Sequence, residues 1–234
     1  MKFCKEALVW QDLRHQFILP FLGVDRKTFP SAFCLVAPWM KNGTVLKYLK
    51  ERGLKEINRL LLEIAQGLEY LHSRNIVHGD LRGSNILISD NFHACLADFG
   101  LATTIFISDT EATTYAPSSS NHAGSVRWFA PELISPQQFG CEKFVRTPAT
   151  DVYAFACVCV ELHTGNAPFT KIVDAAAMLK VIAGERPERP VTVLDGTWNL
   201  VITAWATDFR HRPKIGDIVA VLAGSRKPYS DVCT

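Results

Sequence analysis

Ile57, Leu61, Ile64, Leu68 and Leu71 recur at spacings of four, three, four and three residues. That pattern lines one face of a helix from Ile57 to Ser73, and such a face has to be covered by other elements. After Pro131 the chain reads as mostly helical, over Asp151 to His163, Ala175 to Ile182, Leu200 to Ala206 and Ile215 to Leu222, with Pro187, Pro190 and Pro213 marking loops. Strand signals are few by comparison. Ile18 to Val24, broken by Pro20, predicts a short strand or turn, and Phe33 to Met40 predicts a strand closed by the turn Lys41-Asn42-Gly43. Asn75 to His78, Asn85 to Ile88 and Ala94 to Ala97 are three further β-like pieces, and Phe3 to Leu13 predicts a helix at the start. That opening helix has no strand or cap before it and reads as the cut edge of a domain. Thr103 to Ser125, rich in Ser and Thr and without periodicity, predicts a mobile loop. No repeat and no linker divides the chain, so the expectation is one α+β unit with a helical second part.

Composition narrows the function classes. The net charge is +2 with a pI near 8.2, too weak for the basic stripe of a nucleic-acid binder. The longest apolar run, Val152 to Val160, has nine residues and is too short for a membrane span. Seven cysteines without paired spacing, and an N-terminus unlike a signal peptide, predict an intracellular, cytoplasmic setting. Cys157 and Cys159, inside that apolar run, read as small core residues, as do Trp128, Phe129, Trp198 and Trp205 as large ones.

The chemistry-bearing segment is His78-Gly79-Asp80-Leu81-Arg82-Gly83-Ser84-Asn85. An Asp and an Asn five positions apart between short strands can face one small volume, the first accepting a proton and the second holding a hard cation. Asp98-Phe99-Gly100 follows thirteen residues after Asn85, and Glu132 of Ala130-Pro131-Glu132 follows thirty-four after Asp98.

This ordered series resembles the motif set of eukaryotic protein kinases, and the resemblance, closest to the tyrosine-kinase-like group, runs from Phe3 to about Leu222. It implies a protein-kinase-like fold over residues 1–234, with 1–40 a truncated N-lobe remnant and 41–234 a complete, mainly helical C-lobe. It implies ATP and Mg²⁺ as cofactors and protein substrates as partners, with no nucleic acid and no membrane span. Glu6, nine residues before His15, resembles the glutamate of the family's helix C. Ala37, Pro38 and Met40 resemble the hinge against which adenine stacks, and Leu87 would floor that pocket. Asp80 would be the catalytic base, Arg82 would steady the transferring phosphate, and Asn85 and Asp98 would hold the metal ions. His78 reads as a packed histidine, and Phe99 and Gly100 complete the metal-binding motif. Glu132 and Arg212 would form a buried ion pair, Asp151 would hold the catalytic loop from below, and Ser125 resembles a threonine that contacts the base.

Three departures bear on activity. No Gly-x-Gly-x-x-Gly occurs, since the nearest two glycines, Gly79 and Gly83, are four positions apart. The strand lysine expected upstream of Glu6 is absent; Lys2 lies on the same predicted helix as Glu6, which would leave Glu6 exposed and partnerless. Gly79 replaces the motif arginine that receives a loop phosphate, while Ala156 for glycine in the Asp151 helix is conservative. Two functions follow as expectations: a kinase transferring the ATP γ-phosphate, or a pseudokinase or scaffold that binds partners without phosphotransfer. The chain itself is expected to bind nucleotide weakly and to transfer phosphate poorly. Arg82 favours tyrosine and the segment Gly124 to Glu132 favours Ser/Thr as the substrate; the substrate-facing segment weighs more, so Ser/Thr is preferred.

Overall fold

The computed structural model describes residues 2–29, 33–104 and 125–224. Helix α1 (Lys2–Trp10) is followed by the antiparallel pair β1 (Gly23–Asp25) and β2 (Cys34–Val36), in register Val24 to Leu35. Helices α2 (Val45–Arg52) and α3 (Ile57–Ser73) come next. Short strands β3 (Ile76–Val77), β4 (Ile86–Ile88), β5 (Ala94–Leu96) and β6 (Thr103–Thr104) pair as β3 with β6 and β4 with β5, all antiparallel. The remainder is α4 (Pro131–Ile134), α5 (Pro148–Thr164), α6 (Asp174–Ile182), α7 (Asp195–Ala204) and α8 (Ile215–Leu222).

The core is built around α3 and α5. Helix α3 buries Ile57, Leu61, Ile64, Leu68 and Leu71, the residues of the apolar stripe, and packs against α8, β5 and α5. Helix α5 is buried on every side from Thr150 to Leu162, as expected of a helix that is apolar all round, and Cys157 and Cys159 are core residues within it. It begins at Pro148, three residues before the sequence pattern suggests, because Thr147 and Thr150 cap each other and Pro148 fills the first helical position.

The first part is tied on by backbone. Leu96 N donates to Phe17 O and Leu19 N to Leu96 O, both at 2.9 Å, so residues 17–19 run parallel beside β5. Gly67 makes this approach possible, since a Cβ there would lie 2.9 Å from Phe17 O. Trp10 on α1 is buried and its Nε1 donates to Leu19 O at 2.6 Å.

Three expectations change. The sequence pattern does not mark α2, although Thr44 caps it by accepting from Lys47 N at 3.2 Å. Helix α7 starts at Asp195, five residues before the expected Leu200. Of the expected loop Thr103 to Ser125, residues 105–124 lie outside the described residues, and Thr103–Thr104 form β6.

Candidate active site

The loop between β3 and β4 is held from beneath. Asp151, 1% exposed near the start of α5, accepts from His78 N at 2.8 Å, Gly79 N at 2.9 Å and His72 Nε2 at 2.9 Å. Three donors on one buried carboxylate offset the cost of burying its charge. His78, itself fully buried, accepts from Asp80 N through Nδ1 at 3.2 Å, which leaves Nε2 to donate to Ala97 O at 3.1 Å. This one ring therefore links the backbone of Asp80 to the residue before Asp98.

Asn85 closes the loop. Its Nδ2 donates to Asp80 O at 2.9 Å and to Asp80 Oδ2 at 3.0 Å, while its Oδ1 accepts from Ser84 Oγ at 3.2 Å. Arg82 Nε lies 3.7 Å from Asp80 Oδ2, an ion-pair distance rather than a hydrogen bond. Ala97 N donates to Asn85 O at 2.9 Å, one bond beyond the β4–β5 ladder, which sets the residue before Asp98 beside Asn85. Asp98 has φ of 63°, an uncommon conformation for a residue with a side chain, and its Oδ1 accepts from Gly100 N at 3.3 Å. Phe99 is buried between Trp10 and His78, with ring centroids 5.7 and 5.6 Å away.

Glu6 departs from expectation. It is half-buried, its Oε2 lies 3.2 Å from where a Cβ on Gly100 would stand, and it is not without a partner. Helix α1 docks through Trp10 on Leu19 and Phe99, and that docking turns Glu6 toward Gly100 rather than to solvent.

Ala37, Pro38 and Met40 are half-buried beyond β2. The turn that follows them returns to β4, where Thr44 bridges Leu87 and Ile88 N donates to Gly43 O at 2.9 Å. Leu87 and the 37–40 segment are thus joined through one short turn. Ser125 and Asp80 line one small pocket with Gly79, Trp128, Phe129 and Asp151. Glu132 and Arg212 form a buried two-pronged pair, Nη1 to Oε1 at 2.6 Å and Nη2 to Oε2 at 2.8 Å.

Two residues the motifs do not name also hold this site. Glu161 on α5 accepts from Gly83 N at 2.8 Å and from Trp128 Nε1 at 2.9 Å, and burial pushes its carboxyl up to about 6. Arg146 Nε donates to Gly79 O at 2.8 Å. Neither stands near the loop in sequence; only Gly79, a glycine in place of an arginine, marks that a partner had to come from elsewhere.

Among the described residues no three His, Cys, Asp or Glu side chains gather as a metal cluster. Asn85 and Asp98 offer one amide and one carboxylate oxygen, an all-oxygen set suited to a hard cation that keeps waters and phosphate oxygens as its other ligands. No helix among the described residues is long and apolar enough to cross a membrane.

Residues 1–222 match the family model of protein tyrosine and serine/threonine kinases. Serine/threonine/tyrosine-protein kinase HT1 of Arabidopsis thaliana is 30% identical over 227 residues, covering 94% of this chain and 54% of that protein. Serine/threonine-protein kinase TNNI3K of Homo sapiens is 30% identical over 227 residues, covering 94% of this chain and 26% of that protein. Tyrosine-protein kinase Abl of Drosophila melanogaster is 29% identical over 225 residues, covering 92% of this chain and 13% of that protein. The chain spans about half the length of HT1 and less of the others.

Proposed function

Because the chain belongs to the protein tyrosine and serine/threonine kinase family, we propose that it transfers the γ-phosphate of ATP to serine and threonine hydroxyls of proteins, in signalling. One observation carries this reading: Asn85 bonds both the backbone and the side chain of Asp80, beside the segment after β5 that carries Asp98. A scaffold has no need of a proton acceptor and two cation-binding groups held in one frame.

Asp80 is proposed to accept the substrate hydroxyl's proton, and its backbone bonds to His78 and Asn85 fix where that proton goes. Arg82, close to Asp80 Oδ2, is proposed to turn its planar fork to the phosphate oxygens. Asn85 and Asp98 are the proposed ligands of Mg²⁺, which would neutralise phosphate charge when bound. Ala37, Pro38, Met40 and Leu87 are proposed to take the adenine. Pro38 suits the hinge because only its carbonyl is required there. Most of the catalytic benefit in such a site is positioning and charge stabilisation.

A second reading applies to the 234 residues taken by themselves, in which Gly-x-Gly-x-x-Gly does not occur: a protein-binding module without phosphotransfer. Radiolabelled ATP with a mixed Ser, Thr and Tyr peptide pool separates the two. Label on serine and threonine that disappears in Asp80→Ala supports the first reading. Label chiefly on tyrosine overturns the Ser/Thr assignment, and nucleotide-independent partner binding with no label supports the second.

A further inference from the structure

Gly79 stands one residue before Asp80 with φ of 77°. A Cβ built there would lie 2.6 Å from Arg146 Cδ, 2.9 Å from Leu101 O and 3.2 Å from Arg146 Nε. The Arg146 side chain therefore occupies the space that a side chain at 79 would have to enter. Its Nε donates to Gly79 O at 2.8 Å. Its guanidinium carbon lies 4.9 Å from the Phe144 ring centroid and 5.9 Å from that of Phe129. Nη2 is shut from solvent without a hydrogen-bond partner among the described residues, and the ring faces are what it has in place of an acceptor. Burial lowers the Arg146 pKa, while the Asp80 and Asp151 carboxylates act to raise it. The two carboxylates thus offset part of the cost of burying this charge.

We infer that Arg146 is a positioning residue: from the chain just before α5 it supplies the guanidinium absent at position 79, clamps the Gly79 carbonyl, and fixes a positive charge next to the Asp80 loop. This rests on the phosphotransfer reading for its catalytic part and on geometry alone for the clamp. Gly79 and Arg146 then form a complementary pair, in which the missing side chain on one residue is the room for the other. The clamp also couples the loop carrying Asp80 to Phe129 and Phe144, on the stretch that flanks α4. Lysine cannot reproduce it, having neither the Nε donor geometry nor a planar face to lie against the rings.

The test is a double-mutant cycle on the full chain, with Gly79→Ala, Arg146→Ala and both together, read by urea unfolding. The φ strain at 79 and the Leu101 contact act in both backgrounds and cancel in the cycle. Gly79→Ala is expected to lower the folding constant about tenfold more when Arg146 is present than when residue 146 is alanine, about 1.4 kcal/mol of coupling. Equal drops in the two backgrounds would overturn the clamp. Arg146→Gln and Arg146→Lys, which leave position 79 untouched, are then compared in the radiolabel assay. Expected is a kcat lowered about tenfold by glutamine with peptide KM within about twofold, and partly restored by lysine, which keeps the charge. Equal kcat for lysine and glutamine, or a change in KM alone, would overturn the role of the charge. Should the unchanged chain transfer no phosphate, the functional reading fails, while the unfolding cycle still decides the clamp.

Discussion

Around α5 the buried carboxylates each accept two or more hydrogen bonds, whereas the first forty residues are held by a few apolar anchors and backbone bonds. Asp151, Glu161 and Glu132 accept from His72, His78, Gly79, Gly83, Trp128 and Arg212, all inside the packing of α3 and α5. In the first part, Leu8 is 63% exposed, Leu22 63% and Trp39 85%. Its β1–β2 pair is a two-stranded ribbon, a form marginal by itself. It is held by Trp10 and by the backbone bonds of Phe17 and Leu19 to β5. The placement of the Asp80 loop thus comes from the helical part, and the first part contributes chiefly by leaning on Phe99 and Leu96.

The largest effect that would break this contrast is at the buried pair. Arg212→Ala leaves Glu132 buried and uncompensated, and is expected to cost about 3–5 kcal/mol in urea unfolding. A loss under about 1 kcal/mol would mean the pair is not desolvated. Ile64→Ala, at a fully buried position on α3, is expected to cost about 2–5 kcal/mol by the same measurement.

Glu161 sharpens the contrast through pH. Its carboxyl is raised from 4.5 to about 6, so the folded state holds a proton that the unfolded state releases between those values. Stability from this group is therefore present at and below about pH 4.5 and is lost as pH rises through 6. Glu161→Gln keeps an oxygen for Gly83 and Trp128 and should gain about 2 kcal/mol on wild type between pH 4.5 and 7. A pH-independent difference between the two proteins would contradict it. At the small end, Trp39→Ala in the exposed segment should change stability by no more than about 0.5 kcal/mol. A loss of several kcal/mol there would mean that the first part is as tightly packed as the second.

Much of this was legible in the residues because the signals are local. The stripe from Ile57 to Leu71 is the buried face of α3, and α8 runs from Ile215 to Leu222 as its apolar pattern indicates. The helix α2 escapes the periodicity because its buried residues, Val45, Tyr48 and Leu49, are too few to form a stripe; its one signal is the cap Thr44. For the site, the spacing of Asp80, Asn85 and Asp98 is a property of sequence, but the bonds from Asn85 to Asp80, and the Ala97 N to Asn85 O bond that sets Asp98 beside them, arise only in the fold. Arg146 and Glu161 reach the loop across 67 and 78 residues, and Glu6 turns toward Gly100 through the docking of Trp10. No local pattern encodes such contacts, since they are set by how α5 and α1 pack.

The central claim is that Asp80, framed by His78 and Asn85, is the base of a phosphotransfer site. Its most direct test is the initial rate of radiolabel transfer from ATP to a mixed Ser and Thr peptide pool, by the 234-residue chain and by its Asp80→Asn variant, with folding of both checked by urea unfolding. The expected result is weak, Mg²⁺-dependent transfer by the unchanged chain that falls at least about a hundredfold in a variant of similar stability. A folded Asp80→Asn variant that transfers phosphate at the unchanged rate would contradict it.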